Sequence, residues 1–204
     1  MKFATLSKAA GLAALCVGLM STASFAAESV RIRGTIASFE GTTLVVKTRE
    51  GPEKTIALTE GWAVSSVATA KAADIKPGDY VGIASAPNAD GSDGALEVLI
   101  FPAALKGAGE GSFAWDLQPD STMTNATVAD AVTSVEGSTV NLSYEGGEKT
   151  IDIPEGTPVV TFAAATVADL VPGATVFVPS EQADDATLSS HQVVVGTNGV
   201  VPPM

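Results

Sequence analysis

Apolar and polar residues alternate in short runs along this chain. Val30, Ile32 and Ile36 alternate with Arg31, Arg33 and Thr35, and Val140, Leu142 and Tyr144 alternate with Asn141 and Ser143. A period of two predicts strands with one face toward a core and one toward water. Lys54-Thr55-Ile56-Ala57-Leu58 and Thr150-Ile151-Asp152-Ile153 repeat the pattern. The runs are broken by turn chemistry at Glu40-Gly41, Glu50-Gly51-Pro52, Glu60-Gly61, Pro77-Gly78 and Asn88-Ala89-Asp90-Gly91. Residues 68–75 and 163–170 suit one or two helical turns ahead of a proline, and nothing longer.

The pattern occurs twice. From Ile36 and again from Val132 the chain carries E-G-x-T, E-G-x-E-K-T-I, E-G-x-x-V and A-D-[IL]-x-P-G-x-x-V in one order. Four motifs in register identify a duplicated module. Each copy reads strand, strand, strand, short helix, strand, strand. That order predicts an all-β protein of two tandem five-stranded OB-like or SH3-like barrels, each with one short helix. Closure removes exposed strand edges, and packing two copies together enlarges a core that ~70 residues alone make only marginal. The expected division is a leader over 1–26, a first barrel over 27–101, a connector over 102–124, a second barrel over 125–196 and a tail over 197–204.

The N-terminus changes the picture of where this fold works. Lys2 and Lys8 precede an apolar run from Ala9 to Met20, and Ser24-Phe25-Ala26 fits a small-x-Ala cleavage site. The run is too short to span a bilayer, and no later segment is long and apolar enough to do so. Cleavage after Ala26 leaves 178 of the 204 residues and removes Cys16, the only cysteine. Export without disulfides points to a bacterial periplasm and to stability from core burial.

Charge then narrows the partners. The mature chain keeps nine basic against 23 acidic side chains, a net charge of −14, and residues 119–204 hold only Lys149 against 11 acids. Nucleic acid and anionic lipid surfaces need clustered Lys and Arg, so neither is expected as a partner. The spread of the acids along the chain reads as a solubilising surface rather than a cation site.

A resemblance adds to this. Gly34-Thr35-Ile36, Gly41-Thr42-Thr43-Leu44, Asp74-Ile75-Lys76-Pro77-Gly78-Asp79 and Asp90-Gly91-Ser92 resemble the DUF5666 family, small exported bacterial β-modules. Phe101-Pro102-Ala103, Gly109-Glu110-Gly111, Trp115-Asp116-Leu117, the run from Met123 to Val128 and the ending Gly199-Val200-Val201-Pro202-Pro203-Met204 are similar to a group of alphaproteobacterial periplasmic proteins, some labelled "metal ABC transporter permease". The resemblance implies a β-module and an exported location. It implies no chemistry, and a permease needs spanning helices that this chain lacks.

Catalytic signals are weak. The mature chain has no cysteine, one histidine (His191), and no G-x-S-x-G elbow around any serine. Zinc needs several His or Cys ligands. The stretch from Asn88 to Gly94 lacks the first acid of a calcium loop and reads as a hairpin turn. His191 and Met123, with the terminal Met204, are the weak candidates for a soft metal such as copper. No catalytic residue and no cofactor is expected.

What the duplication leaves unexplained is the connector, which carries Phe113, Trp115, Asp116 and Met123. These four are the candidates for binding a ligand or partner, an aromatic anchor beside an acid. The structural alternative is that Phe113, Trp115 and Leu117 fold back and fill the seam between the barrels. The function expected is a non-catalytic periplasmic binding or interaction protein, its partner an envelope protein or a small ligand. A metal-binding accessory protein stands second and an envelope hydrolase third.

Overall fold

The computed structural model describes residues 28–134 and 137–203, so the expected leader, its expected cleavage site and Met204 lie outside the described residues. The chain is all-β. Its strands are β1 (Glu28–Glu40), β2 (Thr43–Thr48), β3 (Glu53–Thr69), β4 (Tyr80–Pro87), β5 (Asp93–Ile100) and β6 (Gly111–Ala114), then β7 (Thr122–Ser134), β8 (Gly137–Tyr144), β9 (Gly147–Pro154), β10 (Val159–Ala164), β11 (Thr175–Gln182) and β12 (Leu188–Gly196). The expected short helices are single 3₁₀ turns, Ala72–Asp74 and Val167–Asp169. Each is tied down by its own aspartate: the Lys71 amide donates to Asp74 (2.8 Å) and the Thr166 amide to Asp169 (2.7 Å). No described helix is long and apolar enough to cross a membrane.

The two halves do not close on themselves. β1, β2 and β3 pair in sequence, but the ring is completed by β11 against β1 and β12 against β3. This is a closed five-stranded barrel with three strands from the first half and two from the second. The remaining strands form the reciprocal ring: β4 pairs with β5 and β7, β7 with β8, β8 with β9, and one bridge, Gly94 to Asp152, links β9 to β5. The halves have therefore exchanged their last two strands. The division into one barrel over 27–101 and another over 125–196 is replaced by two rings that each draw on both copies.

In the first copy the strand that makes the crossing is β3. Glu60-Gly61, expected as a turn, is a bulge inside a continuous strand: opposite it, β12 steps from Ser190↔Leu58 to Gln192↔Ala63. Gly61 takes φ +75°, which lets the strand absorb extra residues and continue. Instead of folding back, β3 runs on for 17 residues and delivers the chain to the other ring. In the second copy Glu155-Gly156 is a true turn, separating β9 from β10. β10 pairs antiparallel with β3 and parallel with β5, so it stitches the rings together. Val67 and Phe162 occupy the same place in the two copies and pair with each other, which puts a pseudo-two-fold axis through that pair.

Burial follows the rings rather than the halves. One core gathers Ile32, Leu44, Val46 and Ile56 with Val176, Val178, Val193 and Val195. The other gathers Val81, Ile83 and Val98 with Val128, Val140, Leu142 and Ile151. Val67, Leu99, Val160, Phe177 and Val194 form a third cluster, with Phe101, Phe162 and Val200 packed on it. Several of these sit between residues that point into a ring, as Val194 does between Val193 and Val195. Strands buried on both faces read as unbroken apolar runs. The seam is thus filled by the backs of the barrel strands and not by Phe113, Trp115 and Leu117.

Candidate functional site

The connector is built as a clasp. Its β6 adds to the outer edge of β7, from Gly111↔Asn125 to Ala114↔Thr122. The loop between them closes on Ser121, a buried residue whose hydroxyl donates to the Gln118 carbonyl (2.7 Å) and lies 3.0 Å from that of Trp115. The Trp115 amide donates to the Ser121 carbonyl (2.8 Å), and Asp120 takes φ +59° to complete the turn. The tip so formed carries Trp115, Asp116 and Leu117 across to β1 of the other ring.

There it meets Arg31 and Arg33. These alternate with core-facing Ile32, so both guanidiniums lie on the outer face of the barrel wall. Arg31 stacks 3.9 Å above the Trp115 ring, and Arg33 lies 5.5 Å from Trp115 and 5.3 Å from Phe177. Arg33 donates to the Asp116 carboxylate at 2.8 Å, and Arg31 is 3.8 Å from its other oxygen. Phe113 meets Trp115 edge to face, with ring centroids 6.0 Å apart. Partial burial opposes ionisation of Asp116, but the Arg33 hydrogen bond and the charges of Arg33 and Arg31 outweigh it, holding the carboxyl below the usual aspartate range. Burial pulls the Arg31 guanidinium below its ordinary value, with Asp116 opposing and Arg33 adding to the fall. An arginine so placed stays charged.

Beside the clasp lies a cleft of about 420 Å³. Its walls come from every part of the molecule: Arg33, Gly34, Lys47 and Arg49 from the first ring, Glu97 from the second, Leu117 from the tip, Pro158 from the β9–β10 loop, and Val201, Pro202 and Pro203 from the tail. Gly34 is required here, because a β-carbon would run into the Lys47 carbonyl where β2 crosses β1. Lys47 and Arg49 lie two apart on the exposed side of β2 and its turn, and neither forms an ion pair among the described residues. Arg33, Lys47 and Arg49 thus bring three of the chain's 11 basic residues to the lining of one cleft, with Arg31 beside it under the clasp.

Of the four connector candidates, Phe113, Trp115 and Asp116 come together at the clasp. Met123 faces Phe113 across the β6–β7 ladder and is buried. His191 is exposed on β12, in the closed barrel, whereas Met123 lies on β7, outside it. Among the described residues no three His, Cys, Asp or Glu side chains converge as a metal site would require. The stretch from Asn88 to Ser92 is the β4–β5 turn, held by Asp90 accepting from the Ser92 amide (3.0 Å). Sequence reasoning placed Arg31 and Arg33 on the polar side of an alternating strand and did not single out Lys47 or Arg49. The signal was their concentration in so acidic a chain. Comparison with protein-family models, with curated proteins and with solved structures finds no match.

Proposed function

We propose that this is a non-catalytic binding or interaction protein of the bacterial cell envelope, exported to the periplasm by cleavage after Ala26. The observation that carries the reading is the cleft: an apolar wall with a cationic rim, assembled from both rings, the connector and the tail, on a chain of net charge −14 once the leader is removed. Recognition sites combine an apolar surface with a few placed charges in this way. The ring order β1-β2-β3-β12-β11, with its short turn before the fourth strand, supports an OB-like reading of the DUF5666-like modules over an SH3-like one. The test is affinity capture from periplasmic extract with the mature chain and with a Lys47→Glu/Arg49→Glu variant. The reading expects an envelope component retained by the first and lost by the second. Identical capture by both contradicts it.

A further inference from the structure

The two copies give the cleft an internal comparison. Glu53 and Glu148 hold the same place in the shared E-G-x-E-K-T-I motif, and they pair with Lys47 and Ser143, so Lys47 corresponds to Ser143. Thr175 and Tyr80 likewise match, each two residues after the glycine of P-G-x-x-V. In the reciprocal ring this place is filled by the connector. The Tyr80 hydroxyl donates to the Ala108 carbonyl (3.1 Å), Asn125 Nδ2 to the Gly109 carbonyl (3.0 Å) and the Lys106 ammonium to the Gly78 carbonyl (3.1 Å). In the closed barrel Thr175 and Lys47 line the cleft of about 420 Å³ instead.

The lining has an apolar and a cationic part. Leu117, Pro158, Val176, Val201, Pro202 and Pro203 make an aliphatic wall, and no aromatic side chain lines the cleft. Val201, 64% exposed, is the most exposed large apolar side chain among the described residues. Covering such surface with an apolar ligand is favourable in water. Arg33 is held by Asp116 at 2.8 Å, so the cations that a ligand meets are Lys47 and Arg49. Both are exposed, and neither forms an ion pair among the described residues. Glu97 on the wall and Glu53, opposite Lys47 in the β2–β3 ladder, are the acids beside them.

We propose that this cleft binds a medium-chain fatty acid, with its hydrocarbon chain on the proline and valine wall and its carboxylate between Lys47 and Arg49. The proposal rests on the binding reading above and names the ligand class for the same site. An aliphatic wall offers no ring for an aromatic acid to stack on. Glu97 and Glu53 raise the cost of a second negative charge, which favours a carboxylate over a phosphate. A volume of about 420 Å³ lies near the lower end for small-ligand pockets and admits one short chain rather than the two of a phospholipid. Where the closed barrel offers Lys47 the other copy offers Ser143, so charge assigns the ligand to one copy only.

The probe is octanoate, titrated below its micelle-forming concentration into isotope-labelled protein and followed by NMR. The expected result is saturable binding with Kd of about 0.1–1 mM, shifting the amides of Gly34, Lys47, Arg49 and Val201. Ala126 and Ser143, which match Gly34 and Lys47 in the other copy, are expected to stay unmoved. Octanol lacks the charge and acetate lacks the chain, and each is expected to bind about tenfold more weakly or worse. The same loss is expected for octanoate with a Lys47→Gln/Arg49→Gln chain. Both substituted side chains are exposed, and the same spectra report whether the variant keeps its fold. No saturable shift, shifts elsewhere, or equal binding of octanol overturns the proposal, and so does octyl phosphate binding about tenfold more tightly than octanoate. If octanoate fails while capture from extract still depends on Lys47 and Arg49, the ligand class is wrong and the site stands. If both fail, the site falls with it.

Discussion

Asp116 is the residue on which the clasp turns. It answers Arg33, whose side chain is 9% exposed, while itself remaining 47% exposed. A charge-assisted hydrogen bond to so enclosed a guanidinium contributes more than a surface pair does. Asp116→Ala is therefore expected to lower stability by about 1–2 kcal/mol in denaturant unfolding. Trp115→Ala removes the stack on Arg31 and the edge contact with Phe113, and a loss of about 2 kcal/mol is expected. The pH dependence is set by the sign of the Asp116 shift. A carboxyl held below its unfolded value contributes stability at pH above that value and loses it as pH falls through the folded one. In a Trp62→Phe chain, Trp115 fluorescence should stay constant through neutral pH and change only below the usual aspartate range. Titration above that range contradicts the pairing. Trp115 and Asp116 were legible in the sequence as large and charged residues in a segment without a second copy. Their partners were not, because Arg31 and Arg33 look like the wet side of any alternating strand.

At the scale of elements, the hairpins were legible because period-two alternation and Gly-containing turns are local signals. Two elements were not. Gly111–Ala114 is a strand only because β7 offers an edge, and four residues carry no period of their own. Glu60-Gly61 and Glu155-Gly156 are the same dipeptide, yet one is a bulge and the other a turn. Gly61 at φ +75° and Gly156 at φ +86° meet the same backbone demand, so the neighbouring residues decide between the two. After Gly156 come Thr157 and Pro158, and proline interrupts a ladder by lacking an amide proton. Trp62 and Ala63 impose no such break. The crossing of β1 and β2 is a point where a single methyl matters. Gly34→Ala is expected to cost about 1–3 kcal/mol, since the Lys47 carbonyl must move to admit it. A thermal melt unchanged by this substitution contradicts the close approach.

The exchange of strands belongs to the whole molecule, and no local signal encodes it. In a duplicated sequence β1 meets equivalent apolar positions whether its partner is β4 or β11, so the hydrophobic pattern is blind to which copy supplies the strand. What decides is the run from β3 through Ala72–Asp74 to β4, which carries the chain outward instead of back. A continuous strand across a hinge is the usual route to swapped assemblies. Residues 27–101 alone therefore have only a second copy to close on, and size exclusion should return a dimer rather than a monomer. The cleft depends on the same exchange, because its walls join β1 and β2 to β11 and to Glu97 of the other ring. Cysteine pairs introduced after Cys16, the chain's one cysteine, is replaced by serine test the exchange directly. Ser29 is paired with Glu181 across β1 and β11, whereas in unexchanged barrels its partner is Ala86, the position matching Glu181 in the first copy. A Ser29→Cys/Glu181→Cys monomer should form its disulfide under mild oxidation, and a Ser29→Cys/Ala86→Cys monomer should keep two free thiols. The reverse result, a bridge at 29–86 and none at 29–181, contradicts the exchanged fold.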